Sequence, residues 1–299
     1  MRFRLRTLLI VITMLGIWMG VEVRGARRQA SAVSEIRKLG GWVLYDFEYD
    51  PQVSGTSRKL NGRSWVPRWV LARIGVDWFH TVVAVNMVYD LRPGGGRTDN
   101  QQAKDAERRG LVVRGTVTDT LAGVPHLRQL FLKDTQTTDE CLAAISRLHR
   151  LERLYCWDAV QVTDAGVAHL RKLPKLKDVH LSNSQITDES LGVFGEMVQM
   201  KALSLQQNAF TDRGLARLTK LNRLKELWID MGPTDITDQG LAYLENLQTL
   251  EVLAIQDTHA TQEGVDKLKL AIPGLKQVLY SAATRPRPGT ESDARQISN

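Results

Sequence analysis

The chain repeats one short leucine pattern at a nearly constant interval from residue 127 to residue 280. The pattern is Leu-x-x-Leu-x-Leu, and its last position also holds Cys, Ile or Tyr. Its copies begin at Leu127, Leu151, Leu176, Met200, Leu224, Leu250 and Leu275, at intervals of 24, 25, 24, 24, 26 and 25 residues. A second block, beginning with Thr-Asp, stands between the copies. A fixed period of this length is typical of structural units that stack in a row.

Each copy predicts one strand followed by one helix. The last two apolar positions of the pattern are two residues apart, so in an extended segment they point to the same side. The threonine of the Thr-Asp block can cap a helix start, and Leu215, Leu218 and Leu221 then follow at helical spacing. A single strand and helix cannot bury their apolar faces alone, but stacked neighbours form a continuous core. The sequence therefore predicts an α/β fold, a leucine-rich repeat solenoid: a right-handed β-α superhelix with a curved parallel sheet.

The chain divides into four predicted parts. These are a basic tail with a signal-anchor or transmembrane helix (1–25), a juxtamembrane helix with an α/β N-terminal cap (26–80), the repeats (81–280) and a disordered tail (281–299). Residues 81–126 are degenerate repeats and residues 127–280 are regular. Before the repeats we expect a helix over 26–39, a strand from Trp42 to Tyr49 and a short helix from Pro67 to Ile74. The pattern Val-x-x-Val-x-Met, which begins at Val82, predicts the first rung of the repeats.

The N-terminus has the order of a secretory signal. Three arginines precede an apolar run from Thr7 to Val21, and three more follow it: Arg2, Arg4, Arg6, Arg24, Arg27 and Arg28. No good small-x-small cleavage site follows the run. We therefore favour an uncleaved signal-anchor that crosses the membrane with residues 5–23. A cleaved signal and a buried core helix are the alternatives. The expected localisation is single-pass membrane, with the repeat domain outside the cytoplasm.

The positive charge of the chain lies before the repeats. Of the formal net charge of +7, residues 1–80 contribute 13 Lys and Arg against 6 Asp and Glu, and residues 81–299 contribute 27 of each. Repeats that bind nucleic acid would be expected to carry the basic excess themselves. We therefore expect no nucleic-acid partner. The only cysteines, Cys141 and Cys156, occupy small or apolar positions of the repeat, which predicts core thiols.

Segments outside the repeats carry a family resemblance. A basic start followed by Arg-Thr-Leu-Leu, the segment Ile36-Arg37-Lys38-Leu39-Gly40-Gly41, and Gly75-Val76-Asp77-Trp78-Phe79 before the first rung resemble membrane-anchored leucine-rich repeat proteins of planctomycete bacteria. The repeats resemble the cysteine-containing class, which also occurs in F-box substrate receptors and bacterial effectors. Most consensus cysteines of that class are absent, and no F-box-like segment precedes the repeats. The resemblance therefore implies the fold but not a ubiquitin-ligase role.

The sequence offers little sign of chemistry. The segment Pro93-Gly94-Gly95-Gly96-Arg97 lacks the lysine and the spacing of a phosphate loop. The six histidines are scattered, and no H-E-x-x-H, G-x-S-x-G or C-x-x-C occurs. The recurring aspartates stand at helix starts, where a negative charge complements the helix dipole. We expect no enzymatic activity, no metal and no small-molecule cofactor.

The strand surface that faces away from the core is the candidate site. The residue between the last two leucine positions points to the concave face, and there the pattern places aromatic residues among charged ones. Such clusters are typical of interface hot spots. The candidate partner-binding residues are Phe131, Arg153, Tyr155, Trp157, Asp158, Asp178, His180, Trp228 and Asp230. Three alternatives remain: rings that cover one another between rungs, a glycan stacked on them, or docking of the chain's own cap or tail.

These observations predict a membrane-anchored, non-enzymatic module that binds a protein or peptide through its concave face. The alternative is a structural or envelope-organising protein that self-associates through its cap or an edge of the array.

Overall fold

The computed structural model describes residues 5–38, 41–50, 62–87, 120–133, 137–230, 232 and 234–282. The predictions for the segment 90–119 and for the tail beyond Ala282 lie outside these residues. The chain forms two compact units. The first comprises residues 1–110 and 115–129, and the second comprises residues 111–114 and 130–299.

The first unit combines helices with a two-stranded pairing. Its elements are α1 (Leu5–Lys38), β1 (Trp42–Tyr45), α2 (Arg68–Ile74), a 3-10 turn (Val76–Trp78) and β2 (Val82–Met87). The helix predicted from residue 26 is the carboxyl-terminal part of α1, which is described as far as Lys38, and the helix predicted over 67–74 is α2. Pro67 precedes α2, and Gly75, with a φ of 98°, follows its end. Strand β2 forms where the first rung was predicted, but it pairs with β1 in antiparallel fashion.

A buried glutamine on α1 fixes this helix within the first unit. Gln29 donates from Nε2 to the carbonyl oxygen of His80 (2.8 Å) and to Asp77 Oδ1 (3.0 Å). Its Oε1 accepts from the backbone N–H of Val82 at 3.1 Å. Val33 and Ile36 on the same helix are buried. A polar side chain that satisfies several backbone and side-chain partners can be buried at little cost, so the carboxyl-terminal half of α1 is a packed element of this unit.

The prediction of a single-pass membrane protein is wrong. The side chains of α1 are described from Ile12 onward, and no helix of the described residues is long and apolar enough to cross a membrane. The physical reason is that α1 continues without a break through Arg24, Arg27 and Arg28 into the packed segment around Gln29. The predicted membrane localisation, with the repeats outside the cytoplasm, is therefore withdrawn.

The second unit is a regular series of strands and helices. Its elements are β3 (Gln129–Lys133), α3 (Asp139–Ile145), β4 (Arg153–Trp157), α4 (Asp164–Ala168) with a 3-10 turn (His169–Lys172), β5 (Asp178–Leu181), α5 (Asp188–Glu196), β6 (Ala202–Ser204), α6 (Asp212–Ala216), β7 (Glu226–Trp228), α7 (Asp238–Leu244), β8 (Val252–Thr258), α8 (Gln262–Ala271) and β9 (Gln277–Ala282). The strands lie in chain order, and those from β4 to β9 pair in parallel. This order confirms the α/β repeat solenoid.

The register of the strands follows the leucine pattern. The second leucine position forms one row across six strands: Leu154, Val179, Leu203, Leu227, Leu253 and Val278. The first five of these side chains are completely buried, as are the first-position residues from Leu151 to Leu250. Helix residues such as Leu191, Leu215 and Leu241 are buried with them. The core is thus one continuous apolar layer between strands and helices.

A ladder of aspartates joins successive rungs. Each threonine of the Thr-Asp block caps its own helix, as predicted; Thr163, for example, accepts from the N–H of Ala165. Each aspartate, however, accepts from the backbone N–H and the hydroxyl of the next rung's threonine, at 2.6–2.9 Å, in five successive pairs: Asp139–Thr163, Asp164–Thr187, Asp188–Thr211, Asp212–Thr237 and Asp238–Thr261. The helix-dipole explanation was therefore incomplete, because these carboxylates also connect neighbouring repeats.

Glycine makes room for this ladder. A Cβ atom on Gly166, Gly214, Gly240 or Gly264 would overlap the aspartate of the preceding rung. The rung that starts at Thr187 has Ser190 at this position, and its hydroxyl donates to Asp164 instead. The small residue of the Thr-Asp-x-Gly block is therefore required by the close approach of the neighbouring carboxylate.

Candidate binding surface

The strands of the second unit present alternate side chains on two faces. We call the face that does not carry the leucine rows the open face. Its central row follows the strand register and consists of Tyr155, His180, Ser204, Trp228, Ala254 and Leu279. The register thus places the predicted aromatic residues of β4, β5 and β7 in one row, and the ring of Phe131 on the neighbouring β3 stacks on Tyr155.

Four rings of the open face form an aromatic stack. The ring centroids of Phe131 and Tyr155 are 4.5 Å apart with an interplanar angle of 10°, and those of Tyr155 and His180 are also 4.5 Å apart. Trp157 lies beside this row, 5.6 Å from Tyr155 and 6.0 Å from Phe131. The spacing is close to the separation of neighbouring strands, about 4.7–4.9 Å. Stacking between rungs, one of the alternatives from the sequence, therefore occurs.

Stacking changes which aromatic residues solvent can reach. Phe131 is 5% exposed and Tyr155 is 9% exposed, so the expectation that both are displayed to water is not met. Trp157 and His180 in the same stack remain partly exposed. Trp228 is also partly exposed, and its register partners are the small, buried Ser204 and Ala254. The accessible aromatic residues of the open face are therefore Trp157, His180 and Trp228.

An ion pair lies beside the stack. Arg153 and Asp178 are register partners on β4 and β5, and Arg153 Nε donates to Asp178 Oδ2 at 2.9 Å. Both side chains are largely buried, at 11% and 16% exposure. Burial raises the pKa of the Asp178 carboxyl, an effect that the guanidinium of Arg153 opposes. The two charges neutralise each other, so the pair can be buried beside the aromatic stack. We therefore interpret it as a structural contact that holds the neighbouring rings in place.

Burial also sets the charge of the histidine. It lowers the pKa of His180 to about 4, because the protonated imidazole would lose its hydration in the stack. The ring is consequently neutral at physiological pH. It is a flat, partly exposed aromatic surface without a positive charge.

Left-handed residues follow the strands at regular intervals. Asp158, Asn183, Gln207 and Asp257 have φ angles of 56°, 51°, 59° and 59°. Each stands three positions after the central-row residue of its strand, and Asn183 Nδ2 donates to Asp158 Oδ1 at 3.2 Å. The αL region is several-fold enriched in Asn and Asp among non-glycine residues. The sequence pattern predicted Asp158 as a charged site residue and not as part of a repeated turn, although Asp or Asn at a fixed interval was a usable signal.

The last predicted site residue is buried. Asp230 is 2% exposed, and its Oδ1 accepts from Gln206 Nε2 at 2.7 Å. It therefore orients the partly exposed Gln206 on the open face. The structure thus brings Phe131, Tyr155, Trp157 and His180 into one cluster, while Trp228 and Asp230 lie further along the sheet.

The described residues show no metal centre. No group of three or more His, Cys, Asp or Glu side chains within the described ranges could hold a metal ion. Cys141 and Cys156 are free, buried thiols, as predicted, and burial raises the pKa of Cys156. A protonated, buried thiol is a poor nucleophile.

Comparisons with known proteins add a partial likeness. No protein-family model matches the chain, and no curated protein matches it. Among solved structures, internalin C2 from Listeria monocytogenes is 22% identical with a TM-score of 0.42, over 54% of this chain and 65% of that one. An internalin, inlF, from the same organism is 19% identical with a TM-score of 0.44, over 58% of this chain and 54% of that one.

The matches span less than two thirds of each internalin chain. A likeness of this degree carries no conclusion about function or partner. The assignment of the fold rests on the strand register and the repeat period described above. The resemblance to the planctomycete group stays a prediction.

Proposed function

We propose that the second unit is a non-enzymatic binding module that engages a protein or peptide through the open face, the concave face of a solenoid. The observation that supports this most is the partial exposure of Trp157, His180 and Trp228 on strands held in register. Tryptophan and other large aromatic residues dominate binding energy at interfaces because they remove a large area from water on contact.

The predicted site residues then take two roles. Trp157, His180, Trp228 and Asp158, which solvent can reach, make the contacts. The others hold these contacts in place: Phe131, Tyr155, Arg153, Asp178 and Asp230. Rings that are already stacked lose little conformational freedom on binding, so less of the interaction energy is spent on ordering them.

Polar groups on the open face complement the aromatic ones. Gln206 is partly exposed, and Gln207 and Glu226 are exposed. Interfaces typically combine a few aromatic anchors with a polar rim that makes hydrogen bonds. We therefore expect a partner segment that presents both apolar side chains and hydrogen-bonding groups.

Site-specific photo-crosslinking tests the proposal. A benzophenone side chain replaces Gln206 on the open face in one protein and Val198, which is 55% exposed beyond α5, in a matched control. After irradiation in a lysate of cells that normally express the chain, the open-face position should crosslink a protein that the control position does not. Mass spectrometry identifies that protein.

The same experiment can contradict the proposal. Identical crosslinks from both positions, or none from the open face, would exclude a specific partner there. A crosslink from the Gln206 position to a second copy of this chain would favour the self-associating alternative.

A further inference from the structure

The first unit brings a serine, a histidine and an aspartate together outside the open face. Ser64 Oγ lies 2.7 Å from His80 Nε2, and His80 Nδ1 lies 2.8 Å from Asp46 Oδ1. The three residues come from separate segments: Asp46 directly follows β1, Ser64 precedes α2, and His80 lies two residues before β2. A nucleophile next to a base that is oriented by a third group is the arrangement of hydrolytic triads, which are recognised by geometry and not by sequence order.

Backbone contacts fix this cluster. The N–H of Asp46 donates to the carbonyl oxygen of Thr81 at 3.0 Å, which holds the end of β1 against the start of β2. The side chain of Gln29 holds the backbone on both sides of this point, through His80 and Val82. A Cβ on Gly62 would overlap the carbonyl oxygen of Phe47, so the segment leading to Ser64 passes directly beside the end of β1.

For a neutral His80 ring, the hydrogen-bond partners favour one tautomer. An ionised carboxylate only accepts hydrogen bonds, so Asp46 requires the proton of His80 to be on Nδ1. The Nε2 atom is then unprotonated and accepts from the hydroxyl of Ser64. Asp46 Oδ1 also accepts from the N–H of Phe47 at 2.8 Å, which fixes the carboxylate. Ser64 Oγ accepts from the N–H of Val66 at 2.9 Å. Its own proton has two acceptors within reach, His80 Nε2 at 2.7 Å and the carbonyl oxygen of Val66 at 3.4 Å, and the shorter contact is the one to the imidazole.

The surroundings separate the base from water and leave the nucleophile accessible. The His80 side chain is 1% exposed, and the rings of Phe47 and Trp65 lie 4.4 Å and 6.2 Å from it. Ser64 is partly exposed. Trp65 is 76% exposed and makes an edge contact with Phe79 at 6.1 Å. An apolar surface therefore lies beside the serine hydroxyl.

From this geometry we propose that Ser64 is the nucleophile of an acyl-transfer site that hydrolyses esters of apolar acids. His80 is its general base, and Asp46 positions the imidazole. Ser64 Oγ forms a bond to the ester carbonyl carbon while its proton passes to His80 Nε2. The protonated His80 then gives that proton to the leaving alcohol as the ester C–O bond breaks. Water, activated by His80 in the same way, releases the acid and restores the hydroxyl of Ser64.

Trp65 has a supporting position in this step. The exposed ring of Trp65 offers an apolar surface for the acyl chain. This site goes beyond the proposed binding function and does not depend on it.

A covalent probe tests the proposal on the full chain. A fluorophosphonate reacts with activated serines by forming a P–O bond with loss of fluoride, and the adduct is located by peptide mass spectrometry. We expect the adduct on Ser64 in the wild type, its loss in His80→Gln, and no change in Ser34→Ala, which alters an exposed serine on α1. Hydrolysis of p-nitrophenyl butyrate should fall about 100-fold in Ser64→Ala and in His80→Gln.

A structural role would give a different result. If Ser64 only held its segment in place, the wild type would carry no adduct on Ser64 while circular dichroism showed an intact fold, and ester hydrolysis would equal that of Ser64→Ala. That outcome overturns the proposal. Because the wild-type adduct decides the question, the test does not depend on whether His80→Gln folds.

Discussion

At the scale of single residues, the aspartate ladder makes the glycine of the Thr-Asp-x-Gly block the most constrained position of each repeat. In Gly240→Ala the new Cβ would lie 2.3 Å from Asp212 Oδ1, so the rungs must separate or lose their bridging hydrogen bonds. We expect a loss of about 1–3 kcal/mol in the free energy of unfolding, measured by urea titration.

Gly192→Ala is the matched control for this substitution. Gly192 is also inside a helix, but its Cβ would meet only the flexible end of the Arg217 side chain. Alanine there should be neutral or gain about 0.5–1 kcal/mol from helix propensity. Equal losses at Gly192 and Gly240 would show that the ladder does not limit the spacing of the rungs.

The same ladder predicts a dependence of stability on pH. Partial burial raises the pKa of Asp164, but hydrogen bonds from Ser190 and Thr187 outweigh this effect and lower it below its ordinary value. A carboxyl with a lowered folded pKa stabilises the protein above its unfolded pKa, about 3.9, and this contribution disappears as the pH falls through the folded value. Asp164→Asn should therefore cost about 1 kcal/mol at pH 7.

The difference between wild type and Asp164→Asn should shrink below about pH 4, where the wild-type carboxyl takes up its proton. Urea titrations at a series of pH values measure it. The exposed Asp266 on α8 serves as the control, and Asp266→Asn should leave the free energy of unfolding unchanged. A difference for Asp164→Asn that stays constant down to pH 2 would contradict the account.

Part of the candidate site could be predicted residue by residue. Strand alternation correctly placed Tyr155 and Trp228 in one row, because the side-chain period of a strand is fixed. It could not predict that Phe131 and Tyr155 would be almost completely buried, since this depends on how rings of different rungs rest on one another. The Ser64–His80–Asp46 cluster could not be predicted from a sequence motif, because its residues lie in three separate segments that meet only in the folded unit.

At the scale of elements, the leucine rows predict where stability is concentrated. Leu203 on β6 and Leu227 on β7 are completely buried register partners. Replacing either with alanine removes apolar contacts and leaves a cavity, so we expect losses of about 2–5 kcal/mol in the free energy of unfolding. Leu270→Ala on α8, where the side chain is 83% exposed, should change it by less than about 0.5 kcal/mol. Equal effects at Leu203 and Leu270 would contradict the register.

The strands and helices of the repeats were predictable because the same leucine pattern recurs seven times. A copy with an atypical residue can be recognised from its spacing to the other copies. The elements of the first unit occur once. Strand β1 could be read from its apolar residues, but its antiparallel partner could not, since the pattern of β2 resembles a rung and nothing in it specifies direction. Helix α1 was divided by the sequence analysis at residue 25, whereas it runs without interruption from Leu5 to Lys38.

At the scale of the whole molecule, the two units differ in character. The basic excess belongs to residues 1–80, and residues 81–299 are balanced in charge. A charge-balanced repeat array with partly exposed aromatic residues fits recognition by shape and apolar contact better than electrostatic capture of a polyanion. The membrane span was predicted wrongly because an apolar run was interpreted without the packed, charged continuation of the same helix.

The central claim is that Trp157 and Trp228 on the open face supply the binding energy. Isothermal titration of the crosslinked partner tests it with Trp157→Ala/Trp228→Ala and with a matched pair, Trp69→Ala/Trp78→Ala, which removes two exposed tryptophans of the first unit. Each open-face anchor should contribute about 1–3 kcal/mol, so the first pair should weaken binding at least tenfold and the control pair should leave it unchanged. Unchanged affinity in Trp157→Ala/Trp228→Ala, with the wild-type melting curve retained, would contradict the account.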